Sequence, residues 1–407
     1  MPAPNIPRQT ARSYLMVTAC TGTFAFGTLV AFLGATLPEL RARFGFDIAQ
    51  GGTLISLLFL PQIPMSFVAG PLIDRFGKKP VLASGSLLCA VALATISVAP
   101  NYQVLAMLVF AVGLGGSCIN SGSNTLVPDL YPVNPSAALN LANSFFSLGT
   151  VGFPVLVTLM ARRFGLAPAL VLVGVSNAIP GVLSLTQIFP AARSKGGLDW
   201  TLIRNALLNR SILLLALVIF LYSSLEASTA GWLRTYFEQE FFSSAQTSGG
   251  ILVAFFASML AGRLAASEIT KRVRGPIVVA ACAAGAVIGL IFLALGWNLQ
   301  ATIVAVVVTG LCYGPIFPTT AGITSSLFPE IFGTIFGLLM AAGFTGSMIL
   351  PAAIGYVAKA STIKAGIWLL PISAFLLLVV QSILVRREKS GGPLVSRSTG
   401  PGSRFDS

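Results

Sequence analysis

Histidine does not occur in this chain of 407 residues, charged residues make up only 9% of it, and Asp and Glu together number 12. Each shortage removes a class of function. Without histidine there is no Ser-His-Asp or Cys-His catalysis, and the commonest transition-metal ligand is missing. The five cysteines, Cys20, Cys89, Cys118, Cys282 and Cys312, lie in apolar runs without ligand spacing, so neither a metal centre nor a disulfide is expected. No cofactor and no catalytic constellation are expected, and hence no enzyme. An average soluble chain is about a quarter charged, so this one lacks the polar shell that a water-facing surface needs.

What is present is apolar: 55% of the residues are hydrophobic, and the mean hydropathy is +0.87. The chain therefore belongs in a lipid bilayer, as an all-α protein whose spans each need about 20 apolar residues. Apolar runs between charges and turn residues place twelve spans near 14–38, 50–73, 80–99, 102–130, 139–161, 166–190, 211–236, 246–269, 276–296, 300–328, 333–358 and 364–385. Two six-helix bundles are expected over 1–188 and 211–389, joined by a charged cytoplasmic linker, 189–210, and followed by a Ser- and Gly-rich disordered tail, 390–407. With a cytoplasmic N-terminus, the segments on that side carry 17 Lys and Arg and the opposite side 7, with Arg263 left over inside a span. The positive-inside rule then puts both termini in the cytoplasm, and a bacterial inner membrane is expected. The net charge of +13 is accounted for by this topology. No basic face outside the flanking loops suggests nucleic acid.

The two halves echo each other. Leu126-Val127-Pro128-Asp129 closes the fourth span and Leu327-Phe328-Pro329-Glu330 the tenth, 201 residues on; Pro154 and Pro351 are 197 apart, and Gly70 and Gly262 are 192 apart. A near-constant offset indicates a duplicated six-span unit, and repeated halves are the hallmark of alternating-access carriers.

Between the second and third spans stands Gly70-Pro71-Leu72-Ile73-Asp74-Arg75-Phe76-Gly77-Lys78-Lys79. This segment resembles the signature loop of the major facilitator superfamily, G-x-L-x-D-R-x-G-R/K-R/K, with every fixed position filled. A weakened second copy, Gly262-Arg263-Leu264 followed by Lys271 and Arg272, ends the eighth span. The physics holds without the name. A glycine lets another helix approach closely, a carboxylate can face the positive end of a neighbouring helix, and the basic cluster keeps the loop cytoplasmic. The resemblance implies that Gly70, Asp74, Arg75, Gly77, Lys78 and Arg263 form a conformational latch, with Asp74 meeting the start of the eleventh helix. Three further stretches, Gly113 to Asn124, Leu139 to Gly149, and Phe220 to Tyr222 with Glu226 and Trp232, look like the fucose-galactose-gluconate proton symporter and sugar permease group. That group carries carboxylates in the first and fourth helices, whereas the matching positions here, near Gly34 and at Asn120, are neutral.

Among the acidic residues only Glu226 lies deep in a span. An ionised carboxylate there costs about 2.5–3.5 kcal/mol even on lenient scales, so it must face a wet cavity, find a partner or hold a proton. It is a candidate acceptor for a solute hydroxyl and the candidate proton carrier. The bland alternative is a neutral Glu226 bonded to Tyr222, four residues earlier on the same face. Asn120 and Asn124, and likewise Asn140, Asn143 and Ser147, follow helical three-and-four spacing and would suit an uncharged polyhydroxylated solute; helix–helix hydrogen bonding explains them equally well. Trp232 is either a stacking platform or an interfacial anchor, and Gln62, Asn177 and Tyr313 are weaker candidates. No Lys or Arg is taken to stand mid-span, which argues against an anionic solute. Expected, then, is a monomeric secondary or facilitative carrier of a small polar solute, a neutral monosaccharide being favoured, with protons and the bilayer as its other partners. An efflux carrier for a cationic or amphipathic compound is the first alternative. A non-transporting membrane sensor is the second.

Overall fold

The computed structural model describes residues 9–46, 48–191, 204 and 208–389. Most of the expected linker 189–210 and all of the expected tail 390–407 lie outside the described residues. The described chain is helical: α1 Gln9–Phe44, α2 Ile48–Phe59, α3 Gln62–Phe76, α4 Lys78–Ile96, α5 Tyr102–Leu130, α6 Pro135–Phe164, α7 Leu166–Thr186, α8 Arg210–Glu240, α9 Ala245–Ile269, α10 Gly275–Leu295, α11 Leu299–Leu327, α12 Phe332–Ala360, α13 Ile363–Ile367 and α14 Leu369–Lys389. Twelve spans result, because α2 with α3 forms the second and α13 with α14 the twelfth.

The helices obey local rules legible in the sequence. Asn101 and Asn298, 197 residues apart, cap α5 and α11 by accepting from the Val104 and Ala301 amides at 3.0 and 2.8 Å, which satisfies donors that a helix start leaves free. Tyr131 and Phe328, again 197 apart, end the same two helices with nearly equal dihedral angles, φ −130°, ψ 63° and φ −131°, ψ 58°. The second span breaks at Leu60–Pro61. Pro61 and Pro64 donate no amide hydrogen, and their rings crowd the carbonyls one turn back. The first span exceeds its expected limits at both ends, since Gln9–Tyr14 and Leu40–Phe44 contain no residue that stops a helix.

Packing repeats as the sequence does. In the first half α1 packs on α6, and α4 on α5 and α7; in the second, α8 packs on α12, and α10 on α11 and α14. Between the halves, α3 packs on α12, while α6 packs on α9 and α11. Glycine allows the first of these contacts: a Cβ on Gly70 would run into the Gly333 carbonyl, and one on Gly337 into that of Ser66. Backbones then approach at the distance that small residues permit in membrane bundles.

Candidate functional site

A cavity of about 450 Å³ lies between the halves, within the usual range for small-molecule sites. Its position follows from where the halves touch. On α6, Ser136 and Asn140 bond Thr319 of α11 at 3.2 and 2.8 Å, and the cavity begins at Asn143 and continues past Phe146 to Thr150. On α12, contacts with α3 occupy Gly333 to Gly337, and the cavity runs from Met340 to Pro351. The halves are therefore closed at the end bearing the Gly70–Lys79 loop, and the cavity lies beyond that closure.

Two charged side chains line it, Glu226 of α8 and Arg263 of α9. Arg263 is 2% exposed and held on several sides. Its Nε donates to the Gly314 carbonyl at 3.2 Å, and its Nη1 to the Asn143 carbonyl at 3.0 Å and the Ser147 hydroxyl at 2.6 Å. The Phe146 ring lies 5.3 Å from its guanidinium carbon. The remaining nitrogen, Nη2, stands 4.0 Å from Glu226 Oε1. Because Asn143 and Ser147 belong to the first half and Gly314 to the second, Arg263 also ties the halves together.

This corrects a premise drawn from the sequence. Against the expectation that no Lys or Arg stands mid-span, Arg263 stands inside the bundle facing Glu226, so a fixed cation does occur at the cavity. The signal was available. The desolvation argument that singled out Glu226 applies with equal force to the one basic residue left over inside a span.

The other candidates divide. Asn120, Asn143 and Tyr222 join Glu226 and Arg263 on the wall, whereas Gln62, Asn124, Asn140, Ser147, Trp232 and Tyr313 are outside the cavity's lining. The amides form a ladder: Asn124 Nδ2 donates to Asn120 Oδ1 and Asn143 Nδ2 to Asn124 Oδ1, each at 2.8 Å. Gln62 bonds the Leu58 carbonyl, and Asn177 bonds Thr28. Trp232 donates from Nε1 to the Pro351 carbonyl at 3.0 Å and so pins α8 to α12. Tyr313 packs edge-on against Tyr222, ring centroids 6.1 Å apart. Tyr222 is 1% exposed, and its hydroxyl faces both Glu226 and Arg263.

Most of the wall was not foreseen. Phe26, Phe59, Phe146, Phe256, Phe317, Phe344, Met340 and Met348 give the cavity an apolar surface broken by Ser223 and Ser347. Hydropathy could not single them out, because phenylalanine and methionine occur on every face of a membrane helix.

At the closed end Asp74 accepts three hydrogen bonds from the start of α12: the Gly333 amide at 3.2 Å, the Thr334 amide at 2.8 Å and the Thr334 hydroxyl at 2.7 Å. Lys78 is paired with Asp129 at 2.6 Å, their side chains 6% and 7% exposed. Lys79 caps the end of α7 through the Leu185 and Gln187 carbonyls at 3.1 and 3.0 Å.

Comparison with known proteins agrees with this architecture. Residues 19–299 and again 215–405 match the Major Facilitator Superfamily. An uncharacterised MFS-type transporter of Bacillus subtilis, YfkL, is 22% identical over 355 residues, which cover 84% of this chain and 88% of YfkL. The cis,cis-muconate transport protein of Acinetobacter baylyi is 20% identical over 378 residues, covering 89% and 92%. Among solved structures, FucP in its outward conformation superposes with a TM-score of 0.76 at 17% identity, covering 92% of this chain and 99% of FucP.

Proposed function

Since the chain belongs to the Major Facilitator Superfamily and is an integral membrane transporter, we propose that it is a proton-coupled secondary carrier of a small organic solute, with Glu226 as the residue that takes up and releases the proton. The observation that carries this reading is the Glu226–Arg263 pair, the two charged groups of a cavity otherwise lined by neutral and mostly apolar residues. With Glu226 ionised the pair is neutral. With Glu226 protonated the cavity carries one net positive charge, so protonation changes what it attracts.

The groups around Glu226 support a single titrating carboxylate. From α9 it faces Arg263, from its own helix Tyr222, and from α11 Tyr313 packs behind Tyr222. The nearest charges brought by α13 and by the end of α12, Lys364 and Lys359, lie at the far end of the bundle, where Lys364 pairs with Glu240 at 3.1 Å. Arginine beside the carboxylate works against the alternative of a cationic solute.

Asp74 and its partners on α12 serve in this reading as the latch of the loop-closed state, in two halves over 1–188 and 211–389 joined by 189–210. With both termini cytoplasmic, as the Lys and Arg distribution supports, the loop end is the cytoplasmic end and this conformation faces outward. The bacterial relatives support an inner-membrane location. One named relative is uncharacterised and the other is a cis,cis-muconate transport protein, so the solute class has to come from the cavity itself. A neutral monosaccharide retains the support of the Asn120 and Asn143 amides, but no longer that of a cavity without a cation.

The test is counterflow and gradient-driven uptake in proteoliposomes, using a labelled panel of hexoses, pentoses and aromatic sulfonates. Wild-type accumulation is expected to rise with an inward proton gradient, and Glu226→Gln is expected to lose that response. Accumulation that follows the gradient equally in Glu226→Gln would remove Glu226 from the proton path.

A further inference from the structure

We infer that the solute is an organic anion with a largely apolar body, and that its acidic head takes over the Nη2 face of Arg263 when Glu226 is protonated. The inference rests on the reading of Glu226 as the proton carrier and adds to it what is carried with the proton.

Charge is the first argument. A buried guanidinium without a counter-ion is costly in a low-dielectric site. Three of the contacts that hold Arg263 are to neutral oxygens, namely Gly314, Asn143 and Ser147. Its compensation comes from Glu226 at 4.0 Å, across the nitrogen that the other bonds leave over. Once that carboxylate binds a proton, the cavity holds a pinned cation with an open donor, and an anion restores neutrality. Arginine suits this exchange, because its planar donors match a carboxylate or sulfonate and it stays charged in either state.

The supply of hydrogen bonds is the second. A sugar needs a partner for each hydroxyl stripped of water, at a cost of about 1–3 kcal/mol for each one missed. The two amides on the wall are partly spent on the ladder through Asn124, and much of the remaining surface is phenylalanine and methionine. One head group against Arg263 with an apolar remainder against Phe146, Phe256 and Phe344 fits that distribution. The buried Tyr222 hydroxyl, one turn from Glu226 and facing both it and Arg263, supplies a donor for a second oxygen of the head group.

The stoichiometry follows. The empty carrier, with Glu226 ionised against Arg263, is neutral at this site. The loaded carrier, with a protonated Glu226, Arg263 and a monoanion, is neutral as well. One proton taken from water onto the Glu226 carboxylate therefore crosses with one monoanion, and no net charge moves. A neutral solute crossing with a proton would move one positive charge.

Binding to the full chain purified in detergent tests the inference, with carboxylates of graded apolar size (propionate, hexanoate, benzoate, cinnamate), the amide of each, benzenesulfonate, and fucose and xylose as neutral probes. Ligand-induced thermal stabilisation is read at an acidic and an alkaline pH. At least one acid is expected to bind, tighter at acidic pH by about tenfold or more, and tighter than its amide by a similar factor. Arg263→Gln is expected to lose this preference and Arg263→Lys to keep part of it. In Glu226→Gln acid binding is expected to become independent of pH, a result that does not depend on whether the Arg263 variants fold. Amides or sugars binding as well as the acids would overturn the inference, and so would the absence of binding by every acid at both pH values. Proton-driven uptake of a neutral solute would overturn it while leaving Glu226 as proton carrier. Acid binding through Arg263 that ignores both pH and Glu226 would retain the anion and overturn the proton coupling.

Discussion

Lys78→Met is expected to destabilise the first half, by up to about 3–5 kcal/mol, because it removes one member of a buried ion pair. The other member is Asp129, whose side chain is 7% exposed. Neither charge is favoured by its own helix. Lys78 opens α4, where the macrodipole is positive, and Asp129 nearly closes α5, where it is negative. The pair is tolerated because each residue offsets the other's unfavourable placement. Thermal unfolding of the purified protein should show an apparent Tm lower by on the order of 10 °C. The double variant Lys78→Met/Asp129→Leu, with no charge left to bury, should recover most of that loss. A single variant as stable as the wild type would show that the Lys78–Asp129 pair does not hold the first half together.

Asp74→Asn should act on the working cycle more than on stability. Asp74 accepts three hydrogen bonds from Gly333 and Thr334, and all three cross between the halves. They join the halves at the closed loop end. Hydrogen bonds to a charged group are worth about 1.5–3 kcal/mol each, and asparagine keeps one acceptor while losing the charge that meets the start of α12. The closed state should lose about 2–4 kcal/mol, which moves a two-state equilibrium by about 30-fold to 1,000-fold. Turnover in proteoliposomes is expected to fall by about tenfold or more, whereas affinity for the solute changes by less than about threefold. Spin-label distances between α3 and α12 should lengthen in the variant. Unchanged distances with wild-type turnover would show that the closure is held elsewhere, with the Asn140–Thr319 and Arg263–Asn143 bonds as the next candidates.

Much of this architecture could be read before any coordinates, because it is written in local terms. Span length, the Lys and Arg asymmetry and the 192- to 201-residue echoes require only hydropathy, charge and spacing. The loop motif pointed to Asp74 and α12 together, and the structure pairs them. The cavity was less legible. Glu226 stood out because a carboxylate is rare at membrane depth, but Arg263 was absorbed into a loop motif that its neighbours only partly match. Asn120, Asn124, Asn140 and Asn143 have spacing that fits a solute site and a helix-joining ladder equally well. Only their positions show that all four bond other side chains, while Asn120 and Asn143 alone of them also reach the wall. The Lys78–Asp129 pair joins residues 51 positions apart, and the phenylalanines of the wall come from several different helices. Such contacts between distant segments leave no periodic trace in the chain.

The interruption at Leu60–Pro61 divides the second span into two arms. Its α3 arm is clamped against α12 through Gly70 and Asp74, while its α2 arm carries Ile55, Ser56 and Phe59 on the cavity wall. The bonds that close the loop end and the residues that shape the cavity thus lie on different arms of one span.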